Sequence, residues 1–212
     1  MNNKDTFIVD FWEKIFRFLG KISISYLIRI YFPKTINYRF VDMLVLTYLL
    51  VSIISIPLVL SISSHTIKIL IAGFAMFRVF EIVIYQANVL LFDEFRAKKA
   101  GKEYAIRGYR RIVILLLHNY FEIIFWFATQ YIVFNNMFNF VVAESNVSML
   151  GAIYTSFVVM TSFGFANISP LSVLAYSIVI GQAIIGLFMT LLSLARFISL
   201  IPSPQTMDDF EK

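Results

Sequence analysis

The chain has 212 residues, 59% of them hydrophobic, with a mean hydropathy of +0.80 and a formal net charge of +5. Soluble domains lie nearer roughly 45–50% apolar, so this composition excludes an ordinary water-soluble globule and predicts an all-α integral membrane protein. There is no cysteine, which excludes disulfides and thiolate metal sites.

The first residues, MNNKDTF, lack a basic start followed by an unbroken apolar core, so no cleavable signal peptide is expected. From Asp5 to about Tyr31 the pattern is amphipathic. Ile8, Phe11, Trp12, Ile15, Phe16 and Leu19 recur at helical spacing on one face. Asp10, Glu13, Lys14, Arg17 and Lys21 punctuate the other side. Thr6 is placed to cap the start of this helix and Gly20 to weaken its end. Such a helix lies in the membrane interface, with Trp and Phe dipped in and Lys and Arg near lipid phosphates. The plainer alternative is a packed membrane-proximal helix. Pro33 and Asn37 then break the chain, so residues 1–36 form a cytoplasmic or interfacial segment.

Residues 37–92 hold two transmembrane helices. The first runs from about Val41 to Ile62, a length suited to a bilayer core of about 30 Å. Pro57 sits inside it, where a membrane helix tolerates a kink. After the short loop Ser63 to Thr66, the second runs from about Ile67 to Phe92. Arg78 and Glu81 lie near its middle, three residues apart and on one face. Charges at that depth are costly and usually face a protein interior as pairs, which predicts an intrahelical or interhelical ion pair that fixes packing. A sensor element is the other reading, but a voltage sensor needs several regularly spaced arginines and the segment has no such series.

Residues 93–111 are polar and basic, with Arg96, Lys98, Lys99, Lys102, Arg107, Arg110 and Arg111. A basic loop of this length marks the cytoplasmic side. Nucleic-acid binding is disfavoured, because the loop is short and held between membrane helices. A phosphate or anionic-lipid contact fits it better. A third span follows from about Ile112 to Phe134, in which His118 and Glu122 share a face. Two residues are too few for a metal site. A proton relay is open to them, and so is polar packing against a neighbouring helix or subunit. The segment Asn135 to Asn146 has no lysine or arginine and one acid, Glu144, which suits the outer side.

Of the 18 Lys and Arg, only Lys68 and Arg78 fall outside the stretch that precedes the first span, the 93–111 loop and the C-terminal end. Those three regions are therefore expected in the cytoplasm. The predicted topology is N-in and C-in, with four spanning helices and one re-entrant loop entering from outside.

That loop is the stretch Ala152 to Pro170, AIYTSFVVMTSFGFANISP. Its apolar run, Ala152 to Met160, is too short to span a bilayer but long enough for a re-entrant helix. A long apolar segment, Leu171 to Ile201, follows. The stretch resembles the pore loop of the potassium-channel superfamily, whose filter reads T-T-V-G-Y-G-D. Without gaps, Thr161 and Ser162 fall on the threonines, Phe163 on valine, Gly164 on the first glycine, Phe165 on tyrosine, Ala166 on the second glycine and Asn167 on aspartate. Pro170 falls on the proline common after the filter, and Gly186 on the inner-helix glycine treated as a gating hinge. Ser193-Leu194-Ala195-Arg196 is similar to the inner-helix ending of many bacterial members. The preceding helix, with Arg110-Arg111 and Asn119-Tyr120-Phe121-Glu122, is a softer match to their outer helix.

The resemblance implies a potassium-channel-like pore domain over residues 112–201, comprising outer helix, pore helix, filter and inner helix, then a short cytoplasmic tail over 202–212. It implies a homotetramer with a filter at Thr161, Ser162, Phe163, Gly164, Phe165 and Ala166, supported by Asn167 and Pro170. Carbonyl rings at Ser162, Phe163, Gly164 and Phe165, with the Thr161 or Ser162 hydroxyl, replace the hydration shell of a permeant cation. Leu187, Thr190 and Leu194 line the cavity, and the pore-helix end near Met160 turns its negative dipole end toward it. No cofactor and no metal beyond permeant K+, with Na+ as the second cation, is implied. Ala166 replaces a filter glycine, Phe165 lacks the tyrosine hydroxyl, Asn167 lacks a carboxylate and Val158 supplies none behind it. A weakly selective or readily inactivating channel is therefore an open alternative to strict potassium selectivity.

Three function classes remain open. The first is a passive cation channel in a plasma membrane, prokaryotic by the compactness of the chain. The second is a non-conducting scaffold that keeps a degenerate channel architecture. The third is a membrane enzyme or transporter using Arg78, Glu81, His118 and Glu122; with no nucleophile–base motif or phosphate loop it is the weakest, and no enzyme is expected. PSPQTMDDFEK after Ile201 is too short for a ligand-binding gating domain. Gating is then expected from the N-terminal helix acting as a cuff, the basic loop, lipids, membrane tension or a regulatory partner.

Overall fold

The computed structural model describes residues 7–23, 26, 38–103, 108–140, 148–163 and 168–200. The elements run in order: α1 Phe7–Gly20, α2 Tyr38–Ser61, α3 His65–Ala87, a π-helical segment Asn88–Phe92, α4 Asp93–Lys99 and α5 Tyr109–Val133. A 3-10 turn Asn135–Met137, strand β1 Phe138–Phe140, α6 Met149–Thr161, strand β2 Ile168–Pro170 and α7 Val173–Leu200 complete them. Three stretches are long and apolar enough to cross a membrane: Arg39–Ser61 in α2, Arg110–Val133 in α5 and Val173–Ile198 in α7. They suit a membrane location. The expected second span corresponds to α3 with the π segment, carries Arg78 and Glu81, and is not among those three.

α5 is the element on which the others pack. Half of its apolar window is buried, against 22% for the windows in α2 and α7. One core cluster gathers Ile123, Ile124, Trp126, Phe127 and Tyr131 of α5 with residues of α3, α6 and α7. A second joins Ala128, Ile132 and Val133 to Ile56 and Val59 of α2, Ala72 of α3 and Ala152 of α6. Polar side chains bridge helices in that interior, as expected where lipid gives no hydrophobic drive between helices. Ser55 on α2 and Thr129 on α5 lie within hydrogen-bond distance at 2.7 Å, and Gln130 Nε2 donates to the Ala72 carbonyl at 2.7 Å.

Three features differ from the sequence expectation. The 93–111 segment is not wholly loop, because Asp93–Lys99 is helical. Its acids, Asp93 and Glu94, stand in the first turn and its bases, Arg96, Lys98 and Lys99, in the last, matching the helix dipole. A short antiparallel ribbon pairs β1 with β2, setting Phe138 opposite Pro170 and Phe140 opposite Ile168. Finally, Glu13 is buried rather than on a solvated face of α1. The expected Thr6 cap lies outside the described residues, while α1 does end at Gly20.

The ribbon sets the path of the chain between α5 and α7. It brings together the two ends of residues 141–167, so the chain leaves α5 and enters α7 at one place. The excursion between carries α6, whose 13 residues extend about 20 Å at 1.5 Å per residue, short of a bilayer core.

Candidate functional site

α6 begins at Ser148, whose Oγ accepts a hydrogen bond from the Gly151 N–H at 3.0 Å. Two sets of contacts hold the helix in place. The first is a buried network. Ser156 Oγ donates to the Ile124 carbonyl at 2.6 Å, while Gln182 Nε2 donates to both Ser156 Oγ and the Ser156 carbonyl at 2.8 Å. The Tyr131 hydroxyl donates to Gln182 Oε1 at 2.7 Å. This network joins α5, α6 and α7 in the interior, where an unmatched polar atom would be costly.

The second set lies at the α6 C-terminus. The Met160 carbonyl accepts a hydrogen bond from the Tyr120 hydroxyl at 3.3 Å, and that hydroxyl also lies 3.3 Å from Thr190 Oγ1. Gly186 of α7 is packed directly against Met160. A Cβ added at Gly186 would collide with the Met160 carbonyl oxygen and sit 2.9 Å from its carbon. Only glycine permits this backbone approach.

The predicted filter begins where α6 ends. Thr161 Oγ1 donates to the Phe157 carbonyl at 2.8 Å and accepts from the Phe163 N–H at 3.4 Å. Ser162 caps the helix in the left-handed region, at φ 55° and ψ 24°. Phe163 is 82% exposed. Gly164, Phe165, Ala166 and Asn167 lie outside the described residues. Pro170 sits in β2 opposite Phe138, and the Leu171 N–H prolongs the ribbon by donating to the Met137 carbonyl at 2.9 Å. Of the predicted cavity residues, Leu187, Thr190 and Leu194 are all on the exposed side of α7, and Thr190 also meets Tyr120. Because α6 stops at Thr161, its partial negative charge is presented where the filter-like sequence starts.

A buried charge cluster lies deeper in the helical core. Arg78 donates through Nη1 to Glu81 Oε2 at 2.5 Å, and through Nε and Nη2 to Glu122 Oε1 at 3.2 and 2.9 Å. Trp126 Nε1 donates to the same Glu122 oxygen at 3.0 Å. Ser23 Oγ donates to Glu81 Oε1 at 2.5 Å, and the guanidinium lies 3.6 Å from the Tyr48 ring centre. The cluster thus joins α2, α3 and α5 with the residues after α1. Glu122 Oε2 is buried without a hydrogen-bond partner among the described residues. His118 is not part of the cluster, since its Nδ1 lies 2.7 Å from the Ile114 carbonyl. Among the described residues no three His, Cys, Asp or Glu converge to hold a metal.

α1 is anchored by a third group of contacts. Glu13 Oε1 accepts from Arg17 Nε at 2.8 Å and Arg96 Nε at 2.7 Å. Arg96 also donates to Asn88 Oδ1 at 2.5 Å, and Asn88 Nδ2 donates to the Phe16 carbonyl at 2.9 Å. Lys99 and Asp10 pair at 2.8 Å, and the Phe16 and Phe92 rings lie 5.6 Å apart. Burial pushes the Glu13 carboxyl up. The hydrogen bonds from Arg96 and Arg17, with their charges, outweigh it and hold the group below the ordinary carboxylate range.

Sequence reasoning singled out Arg78, Glu81, Glu122, Thr190 and Gly186, but not Gln182, Ser156 or Tyr131. A lone glutamine inside an apolar segment was the available signal for Gln182. No family model matches this chain, and no characterised protein or solved structure matches it either.

Proposed function

We propose that this chain is the pore-forming subunit of a homotetrameric cation channel, passing K+, with Na+ as the second permeant ion, down their gradients. One observation carries the reading: a short apolar helix, wedged between α5 and α7, ends in a left-handed residue where a filter-like sequence begins. The β1–β2 ribbon brings the two ends of the excursion together, as a loop that enters and leaves on one side of a membrane requires. Irregular backbone at membrane depth is tolerated where it is enclosed by protein or lines water, and an ion path supplies the second condition. In this reading α2, α3, α5 and α7 are four spans, both termini are cytoplasmic and the membrane is a prokaryotic plasma membrane. The charge cluster stands inside the helical core, which removes the lipid-facing cost of placing Arg78, Glu81 and Glu122 on spans. The filter carbonyls of Ser162, Phe163, Gly164 and Phe165 would strip and replace the cation's water, with Gly186 as the point about which the inner helix moves.

The test is ion flux through purified protein in liposomes under opposed K+ and Na+ gradients, with Gly164→Asp as the control. A channel gives flux that the substitution abolishes, and its reversal potential reports how far Ala166 and Asn167 relax selectivity. Tetramers of the unmodified protein that pass neither ion under voltage or tension would instead favour the non-conducting scaffold.

A further inference from the structure

Two concavities lie side by side along the joint between α1 and the π segment. One is an apolar groove of about 530 Å³, walled by Ile8, Trp12 and Phe16 of α1, Leu91 and Phe92 of the π segment and Phe188 of α7. The other is a polar cavity of about 350 Å³ whose charged lining is Arg17, Lys21 and Arg96 against Glu81 and Asp93. They share no lining residue, but neighbouring residues of the chain border each of them. Phe16 lines the groove and Arg17 the cavity; Phe92 lines the groove and Asp93 the cavity.

The charges in the cavity are not equally committed. Glu81 is held by Arg78 and Ser23, Asp93 by Arg96, and both Arg96 and Arg17 bind Glu13. Lys21 carries a charge with no acidic partner among the described residues. Arg17 keeps 60% of its side chain exposed beside it. An apolar groove close to a cavity in which Lys21 has no acidic partner among the described residues complements an anionic amphiphile. Phe7, Phe11 and Phe18 are exposed on α1, so the joint lies where such a molecule is abundant, at a membrane surface.

We infer that this joint binds one anionic phospholipid, its acyl chain in the groove against Phe188 and its phosphate on Lys21 and Arg17. The inference rests on the membrane location, not on ion conduction. An occupied groove would tie α1 to the inner helix two residues beyond Gly186, and so link lipid composition to α7.

Trp12 lines the groove and reports on it directly. The test measures quenching of Trp12 fluorescence by phospholipids brominated on the acyl chain. The signal of Trp12→Phe protein, which retains only Trp126, is subtracted. Full-length protein is reconstituted in vesicles of brominated phosphatidylglycerol or brominated phosphatidylcholine diluted in the unbrominated zwitterionic lipid. Occupancy of the groove is expected to favour phosphatidylglycerol, and Lys21→Gln to lower that preference about fivefold. Lys21→Arg should retain it. Lys102→Gln, an exposed cation away from the cavity, should leave it unchanged and so excludes a general surface-charge effect. Equal quenching by the two lipids, or a preference that Lys21→Gln does not alter, overturns the assignment. A loss matched by Lys102→Gln overturns it too. Because the readout is fluorescence, these outcomes stand whether or not the protein conducts.

Discussion

Gly186 and Gly181 lie on the same apolar helix, and a methyl group would meet different surroundings at each. At Gly181 nothing lies within 4 Å, whereas at Gly186 the Met160 backbone fills the space. Gly186→Ala must push α7 away from the end of α6, an overpacking that costs about 1–3 kcal/mol. Gly181→Ala removes a flexible residue from a helix interior and should be neutral or stabilising by roughly 0.5–1 kcal/mol. Thermal unfolding in one detergent checks both; equal midpoints for the two variants would show that the close approach is not rigid. The sequence marked Gly186 by its distance from the filter-like turn but could not show what touches it. That contact joins residues far apart in the chain, and nothing local encodes it. The same limit applies to Glu122. Its i, i+4 spacing suggested His118 as a companion, yet Arg78 of another helix occupies its carboxylate. By contrast, the Arg78–Glu81 pair is local, and its three-residue spacing put an intrahelical pair within reach of the sequence.

At the scale of elements, one carboxylate, Glu13 of α1, serves Arg17 of its own helix and Arg96 of α4. The sign of the pH response follows from the depressed Glu13 pKa. Docking of α1 is at full strength above the ordinary carboxylate value of 4.5 and is lost as pH falls through the lower, folded-state value. Acidification that carries the pH below the ordinary carboxylate range should therefore loosen α1 and move the Trp12 emission, taken as the difference from Trp12→Phe protein. Glu13→Gln should give the released emission at neutral pH and flatten the titration. An unchanged titration in that variant would assign the transition to other groups. The helices themselves were largely legible, because long apolar runs fix α2, α5 and α7 to within a few residues. α4 was read as loop because charge density hid its helical pattern, although acids precede bases along it and Glu94 pairs with Lys98 at 2.8 Å. Strands of three residues are too short for alternation to register, so the ribbon had no sequence signature.

The whole molecule poses a question that one chain cannot encode: what covers the outward face of α7. Ile180, Ile184, Leu187, Leu191 and Leu194 form an exposed apolar stripe on it, and Phe163 stands exposed just after the C-terminus of α6. Exposed α2 positions such as Met43, Leu50 and Ile54 form a comparable stripe. For a monomer in lipid the two stripes are equivalent, since acyl chains cover both. In a tetramer closed around a pore they are not, because α7 turns toward its copies while α2 stays against lipid. The chain has no cysteine, so an introduced thiol is the only one present. Single substitutions Leu187→Cys, Leu191→Cys and Leu194→Cys should give linked dimers with a short bifunctional thiol reagent in membranes. Met43→Cys should remain monomeric under the same treatment. Three positions are needed because spacing across an axis differs along α7 as the helices converge. Monomers from all three, or dimers from Met43→Cys at the same yield, would mean that lipid rather than another copy covers α7. A pore built from one loop per chain would then have no walls.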